Sequence, residues 1–351
     1  MRVIRRCSQC QWPLCSASCE ASGQHPAECR LMKDNPVRIP INVDSANHFY
    51  QCIGALRCLS LASTHPAQWK RLNSLESHLE SRKGSQLYLV AERNVVAFIR
   101  SGLKLPNFEA EIIQRVSGIL DVNCFDIRIP GKVAVRGLYP TASLLNHDCV
   151  PNSRHFFDSG MRITLVATVD IHPGESITAT YTQSLWNTLH RRMHLKTLKH
   201  FWCRCRRCSD PHELATNSGA LKCIQCGHFI SSRDPLDPDA GWTCSNCSAS
   251  MNAGYVTEFH DRVRHQLKAM ASKTQPHLLE EFIADSHNCG GHLHPQSCHV
   301  TEARYALVQI YGNVPQFQYN GFFFCFVSFK ASLKANLSIL HQLLLKLSFL
   351  A

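Results

Sequence analysis

Cysteine spacing constrains this chain more than any other feature. Four of its 19 cysteines form Cys223-x2-Cys226-x17-Cys244-x2-Cys247. A tight turn within each such pair brings two sulfurs to one zinc ion, and the spacing is close to that of a zinc ribbon. Gly227 and Asn246 supply the turn chemistry of the two knuckles. A second set, Cys203-x-Cys205-x2-Cys208, is one ligand short of tetrahedral zinc. Cys149, in Asn146-His147-Asp148-Cys149-Val150-Pro151-Asn152, is the candidate fourth, and it would pin its loop to the later trio. A third set, Cys7-x2-Cys10-x4-Cys15-x3-Cys19-x5-His25-x3-Cys29, offers six ligands. One site takes four and two take eight, so the simplest account is one complete site and half of another. Three zinc ions are expected, with a fourth half-site. Cys289, His292, His294, Cys298 and His299 lack paired spacing and read as a turn capping the helix that follows.

Composition narrows the class. With 44% hydrophobic and 18% charged residues the chain is neither disordered nor a coiled coil. Its 351 residues allow two or three units at roughly 100–200 residues per domain. The basic start, Met1 to Cys7, has no apolar stretch after it, so an export signal is not expected. Reduced thiols, as in cytosol and nucleus, then favour metal over a disulfide framework. Lys330, Lys334 and Lys346 break the apolar C-terminal tail, and no membrane span is expected. One centre of net charge −1 and two of −2 lower the formal +11 to about +6. Nucleic-acid binding is thus allowed but not demanded. Residues 186–208 hold seven Lys/Arg and no acid; Arg204, Arg206 and Arg207 read as offsetting a thiolate–zinc centre, ahead of a nucleic-acid surface.

Hydrophobic period gives the organisation. Trp69, Leu72, Leu75 and Leu79 predict a helix over 64–80 with Pro66 in its first turn. Ile112, Ile113, Val116, Ile119 and Leu120 predict another over 108–120, both stripes facing a core. Residues 30–125 therefore read as mostly helical. Beyond them, Met161, Ile163, Leu165, Ala167 and Val169 alternate with polar residues, the pattern of a half-buried strand. Asp158-Ser159-Gly160 predicts a hairpin turn, His172-Pro173-Gly174-Glu175 a second turn before the β-rich Ser176 to Tyr181, and a helix follows at about 185–200.

Three segments in combination are specific. Asn146 to Asn152, Gly174-Glu175-Ser176-Ile177-Thr178-Ala179-Thr180-Tyr181 and Cys203-x-Cys205-x2-Cys208 resemble the core and post-SET motifs of SET-domain lysine methyltransferases. The lead-in Gly137 to Leu145 is similar to the SMYD branch, in which a MYND zinc finger interrupts the SET domain. The internal ribbon is similar to that of arthropod-type SMYD proteins. The resemblance covers roughly 7–29 and 120–312. It implies an α+β fold: a SET-domain β-fold of short sheets with a helical insert, zinc-binding MYND and post-SET modules, and a partial helical C-terminal domain. The implied boundaries are 1–29 for a partial MYND finger, 30–122 for the helical insert, 123–183 for the core SET domain and 184–212 for the post-SET module. A zinc-ribbon insert at 219–250 and the start of the helical domain at 255–312 follow, with 313–351 unassigned.

The resemblance also implies roles. S-adenosylmethionine is the expected cofactor beside Zn2+. Asn146 and His147 would bind it, Ser143 and Asn123 would line the same pocket, and Phe201 would stack near the adenine. Tyr181 would be the catalytic tyrosine and Tyr139 a wall of the lysine channel. Cys7, Cys10, His25 and Cys29 can form the second MYND site, which leaves Cys15 and Cys19 without partners. The family's Gly-rich first strand and first Cys pair precede Met1 in register, and the acid-free stretch after Glu302 departs from the family, so the sequence reads as truncated at both ends. Lys199 stands where the family often has an aromatic channel wall; a cation there opposes an incoming sulfonium and amine. The expectation is a protein-lysine N-methyltransferase acting on histone or other protein, monomeric, nuclear and cytoplasmic, with Pro-rich peptides as partners of the MYND finger. The competing expectation is a catalytically inactive zinc scaffold in transcriptional regulation.

Overall fold

The computed structural model describes residues 5–14, 16–21, 25–34, 36–37, 51–128, 134–272, 275–284 and 288–314. Cys15 and most of the 313–351 tail lie outside them. The fold is α+β, as the motifs imply. Its contacts divide the chain into two compact units, one of Met1–Leu145 with His155–Val166 and one of Asn146–Arg154 with Ala167–Ala351.

In the first unit, β1 (Arg5–Arg6) pairs antiparallel with β2 (Pro13–Leu14). Helix α1 (Pro26–Met32) begins at a proline whose fixed φ suits a first turn. Helices α2 (Ile53–Thr64), α3 (Pro66–Asn73) and α4 (Ala110–Asn123) share a core with Trp12, Leu56, Leu72, Ile99, Ile113 and Val116. Each such side chain, fully buried, contributes about 1.5–3 kcal/mol. The apolar stripe of α4 faces inward as its period predicts. The helix expected over 64–80 is shorter: it stops at Asn73 and resumes only at Leu79–Arg82. Arg115 of α4 explains the stop. Its guanidinium donates to the Asn73 carbonyl at 2.6 Å and to the Asn73 side chain at 2.7 Å, taking over the helix end.

Strands β3 (Cys124–Ile127) and β4 (Val135–Leu138) form an antiparallel pair with Cys124 opposite Leu138. β6 (Ser153–Phe157) and β7 (Ile163–Ala167) flank the expected turn, where the Asp158 carboxylate accepts from the Gly160 and Arg162 N–H groups, both at 2.9 Å. Alternation located β7 but not its burial: Met161 and Leu165 are each 40% exposed and Val169 61%. A two-stranded ribbon has too little surface to bury a face by itself.

In the second unit, β5 (Asn146–His147) pairs parallel with β8 (Thr178–Ala179). Helix α5 (Thr188–Lys199) is capped by the Asn187 side chain, which accepts from the His190 N–H at 2.9 Å. β9 (Leu221–Lys222), β10 (Phe229–Ser232), β11 (Trp242–Cys244) and β12 (Ser250–Met251) form one sheet in the order β12-β11-β10-β9. This sheet shares a core with α6 (Ala253–Ser272), α7 (Pro276–Ala284) and α8 (Cys298–Asn313), built on Ile230, Val256, Phe259, Leu279, Phe282 and Val300. Among the described residues no helix is long and apolar enough to cross a membrane.

Candidate metal centres and active site

Three groups bring four metal-binding side chains each to one point: Cys7, Cys10, His25 and Cys29; Cys149, Cys203, Cys205 and Cys208; and Cys223, Cys226, Cys244 and Cys247. Zinc–sulfur bonds of about 2.3 Å at tetrahedral angles place ligand sulfurs about 3.8 Å apart. Cys149 lies 3.5 Å from Cys208 and 4.0 Å from Cys203. Cys226 lies 3.5 Å from Cys244, Cys223 lies 3.6 Å from Cys247, and Cys7 lies 3.9 Å from Cys29. Cys10 meets His25 Nε2 at 3.4 Å. These separations are far too long for disulfides, which need about 2.05 Å. The residues fit the ion. Of the first cluster's six candidates, Cys19 stands apart from the group and accepts from the Ser16 hydroxyl at 3.3 Å.

Each centre is oriented by a second layer. His25 Nδ1 faces Glu28 at 3.4 Å, and Arg57 holds Glu28 at 2.8 Å, which fixes the imidazole with Nε2 toward the cysteines. Asn246 N–H donates to Cys244 at 3.4 Å and holds that thiol down at about 6. In the Cys149 centre, contacts from Cys203, Cys205 and Cys208 push the Cys149 thiol up, while Cys149, Cys203 and Cys208 pull Cys205 down. Four sulfurs this close cannot all ionise without a cation among them.

Arg191 is the charge beneath that centre. It is fully buried, donates from Nε to Cys149 at 3.2 Å and from Nη2 to Cys208 at 3.7 Å, and pairs with Glu213 at 2.9 Å. Burial pulls the guanidinium down, but Glu213, Cys149 and Cys208 outweigh it and raise it overall. Glu213 also pairs with Arg207 at 3.2 Å; burial pushes its carboxyl up, and Arg191 and Arg207 hold it at about 2. This corrects the sequence reading in part. Arg204 and Arg206 are exposed, Arg207 acts through Glu213, and the direct counter-charge is Arg191. No spacing marks Arg191; its neighbour Arg192 is also buried, bonded to the Cys203, Pro235 and Leu236 carbonyls. Three of the run's seven cations, Arg191, Arg192 and Arg207, are thus spent inside the protein, while Lys196, Arg204 and Arg206 are exposed.

The two β-motifs meet through His147. Its Nδ1 accepts the Tyr181 N–H at 3.0 Å, so Nε2 carries the proton and donates to Cys149 at 3.3 Å. Burial pulls this imidazole down to about 4 and keeps it neutral. Both ring nitrogens are engaged, which makes His147 the link between Tyr181 and the metal centre. The Tyr181 ring lies 5.2 Å from His147, and the Phe201 ring 6.0 Å. Burial raises the Tyr181 hydroxyl above its usual range. Lys199 places its ammonium 5.6 Å over the Tyr181 ring, a cation–π contact at the position that sequence reasoning marks as a departure. Asn146 is exposed beside His147 on β5.

The remaining residues belong to the first unit. Tyr139 stacks near Phe125 at 5.9 Å and Phe157 at 5.6 Å, and its hydroxyl donates to the Met161 carbonyl. Burial raises that hydroxyl first, and Asp158 adds to it. The Asn123 amide donates to the Glu76 and Ile119 carbonyls at 2.8 and 2.9 Å. The Ser143 hydroxyl reaches the Asn123 and Tyr139 carbonyls at 3.1 and 2.9 Å. The His-rich turn is structural in the way expected of His292 and His294, which meet the Lys222 and Asn217 carbonyls, while Ser297 caps α8.

Residues 27–182 match the family model of the SET domain. The chain is 28% identical over 286 residues to the SET domain-containing protein SmydA-8, isoform B, of Drosophila melanogaster, across 78% of this chain and 60% of that protein. It is 30% identical over 223 residues to the histone-lysine N-methyltransferase SMYD3 of Homo sapiens, across 58% and 49%. It is 27% identical over 264 residues to the histone-lysine N-methyltransferase ASHR1 of Arabidopsis thaliana, across 70% and 53%. The matched region holds the joined Asn146 and Tyr181 motifs, and the Cys203 trio that completes the Cys149 group lies just beyond it. The chain is similar to SMYD-type SET-domain proteins, and it spans 60% of the length of SmydA-8.

Proposed function

We propose that this chain is a protein-lysine N-methyltransferase using S-adenosylmethionine, with histone or non-histone protein as substrate. The observation that carries the reading is the bond from Tyr181 N–H to His147, which joins the strand of the Asn-His motif to the segment just after β8. The residues fit the cofactor in kind: an exposed amide at Asn146 for its polar end, and the aromatic faces of Phe201 and Tyr181 for its adenine and its cationic centre. The cofactor supplies an activated methyl group. Tyr181 would orient the accepting amine through its hydroxyl, which burial keeps protonated at neutral pH. His147 holds the Tyr181 backbone in place, and the Cys149 centre holds His147. Alignment of this kind is worth about 7–11 kcal/mol of a transfer barrier. The resemblance adds Asn123 and Ser143 as cofactor-pocket residues and Tyr139 as a channel wall, each open to the same substitutions. Zinc in the three cysteine-rich groups, a MYND finger at the N-terminal one and residence in nucleus and cytoplasm complete the proposal.

A second reading, an inactive SET/MYND scaffold binding Pro-rich peptides, draws support from Lys199 over the Tyr181 ring. The two separate by calorimetry with S-adenosylmethionine and by transfer of its labelled methyl group to histone and cell-extract protein. The enzyme reading expects binding that Asn146→Ala removes, and transfer that Tyr181→Phe lowers about 10²-fold or more with binding kept. Absence of binding by the folded, zinc-loaded protein leaves the scaffold.

A further inference from the structure

Helices α6 and α8 bring together three metal-binding side chains that the proposed chemistry does not use. His260, Cys298 and His299 are 1%, 2% and 1% exposed, and one ligand atom from each lies within 4.8 Å of the other two. His260 Nε2 donates to the Gly219 carbonyl at 3.1 Å. That bond commits the ring proton to Nε2 and leaves Nδ1 as a lone pair, 2.9 Å from His299 Nε2. A backbone carbonyl holding the far nitrogen is how proteins orient a metal-ligating imidazole. The start of α8 is fixed as well: Cys298 N–H donates to the Ser218 carbonyl at 2.8 Å, and the Ser297 hydroxyl accepts from His299 N–H at 3.2 Å.

As a purely structural cluster this arrangement is incomplete. His299 Nδ1 is buried and has no hydrogen-bond partner among the described residues. Leaving a buried nitrogen unsatisfied costs about 1–3 kcal/mol. Without an ion the 2.9 Å contact is a hydrogen bond from His299 Nε2–H to His260 Nδ1 with the Cys298 thiol as the third ligand atom beside it, and an ion seated there displaces that proton and the thiol's.

We propose that His260, Cys298 and His299 form a further metal site, for a zinc-class divalent ion held by two imidazoles and one thiolate. The donor set excludes calcium and magnesium, which take oxygen ligands, and suits zinc, which takes nitrogen and sulfur. Three protein ligands leave one tetrahedral position. His190 packs edge-on against both imidazoles, its ring centroid 5.9 Å from that of His260 and 6.2 Å from that of His299, with Nε2 held by Asp261 at 3.3 Å. With all three ligands sealed from solvent the ion is structural, clamping α6 to the first turn of α8.

Metal content of the full chain tests this. Elemental analysis of zinc-loaded protein should find four ions per chain, three of them in the cysteine-rich groups. The double variant His260→Ala/Cys298→Ala should hold one ion fewer than the parent, with the parent's circular dichroism. Because a buried double substitution can prevent folding, a second measurement uses the parent alone. Protein holding three zinc ions should take up one equivalent of Co2+ and show tetrahedral cobalt absorption with the charge-transfer band of a single thiolate. A parent that holds three ions and takes up no cobalt overturns the site. So does a double variant that keeps the parent's count, or a fourth cobalt with a multi-thiolate band.

Discussion

Single side chains decide how the candidate active site behaves. Lys199 sets a cation on the face of Tyr181, where the proposed reaction needs room for another. Lys199→Phe should tighten S-adenosylmethionine binding by about 5–10-fold, the size of one partly desolvated cation–π contact, read by calorimetry; unchanged affinity would remove Lys199 from the cofactor's surroundings. Arg191 is the second case. Arg191→Met leaves Glu213 half-paired and two sulfurs without their donor, and should cost about 3–5 kcal/mol in urea unfolding. Arg204→Met, on the exposed side, should stay within about 0.5 kcal/mol. His294 gives the pH dependence. Its Nε2 donates to Asn217 and its Nδ1 accepts from Gln296 N–H, so the fold holds it neutral, and burial lowers it to about 4. The unfolded chain binds that proton near 6.5 and the folded chain near 4. Stability is therefore whole above 6.5 and falls as pH drops toward 4, by about 3 kcal/mol from this group. Thermal unfolding across pH 4–7 should show the decline, and His294→Gln should flatten it while costing stability at pH 7.

At the scale of elements, periodicity located helices and strands better than it located their ends. The stripe of α4 was readable because one face packs inward, and the Pro66 start of α3 because proline fixes φ. The break at Asn73 was not readable, since it depends on Arg115, 42 residues away. The Cys203 trio and Cys149 were legible because zinc demands a fixed ligand number; Arg191 was not, because any helix can carry an arginine and only burial gives it a task. His260 escaped notice for the same reason, in the middle of an amphipathic helix. Packing of α4 makes its own prediction. A Cβ on Gly118 would meet the Ser77 carbonyl oxygen at 2.5 Å and the Arg82 guanidinium. Gly118→Ala should therefore lower stability by about 1–3 kcal/mol in chemical denaturation, although alanine favours a helix by about 1 kcal/mol over glycine. A gain in stability would mean that the helix shifts freely.

For the molecule as a whole, the zinc proposed at the three cysteine-rich groups would add to the two hydrophobic cores. Stripping zinc with a chelator should lower the unfolding temperature and expose thiols to Ellman's reagent, with the Cys223 group reacting first because only one of its four sulfurs is buried. The ends of that group's longest connection carry one more consequence. Cys149 and Cys208 stand 59 residues apart, and drawing such a segment closed costs roughly 3–4 kcal/mol in chain entropy. Local ribbons and helices can assemble before that cost is met; the ion cannot be seated until they have. Order of assembly is thus written into the connectivity: in refolding followed by pulse labelling, the knuckle of Cys223 and Cys226 should acquire protection early, and the juncture at Cys149 should be the last to set.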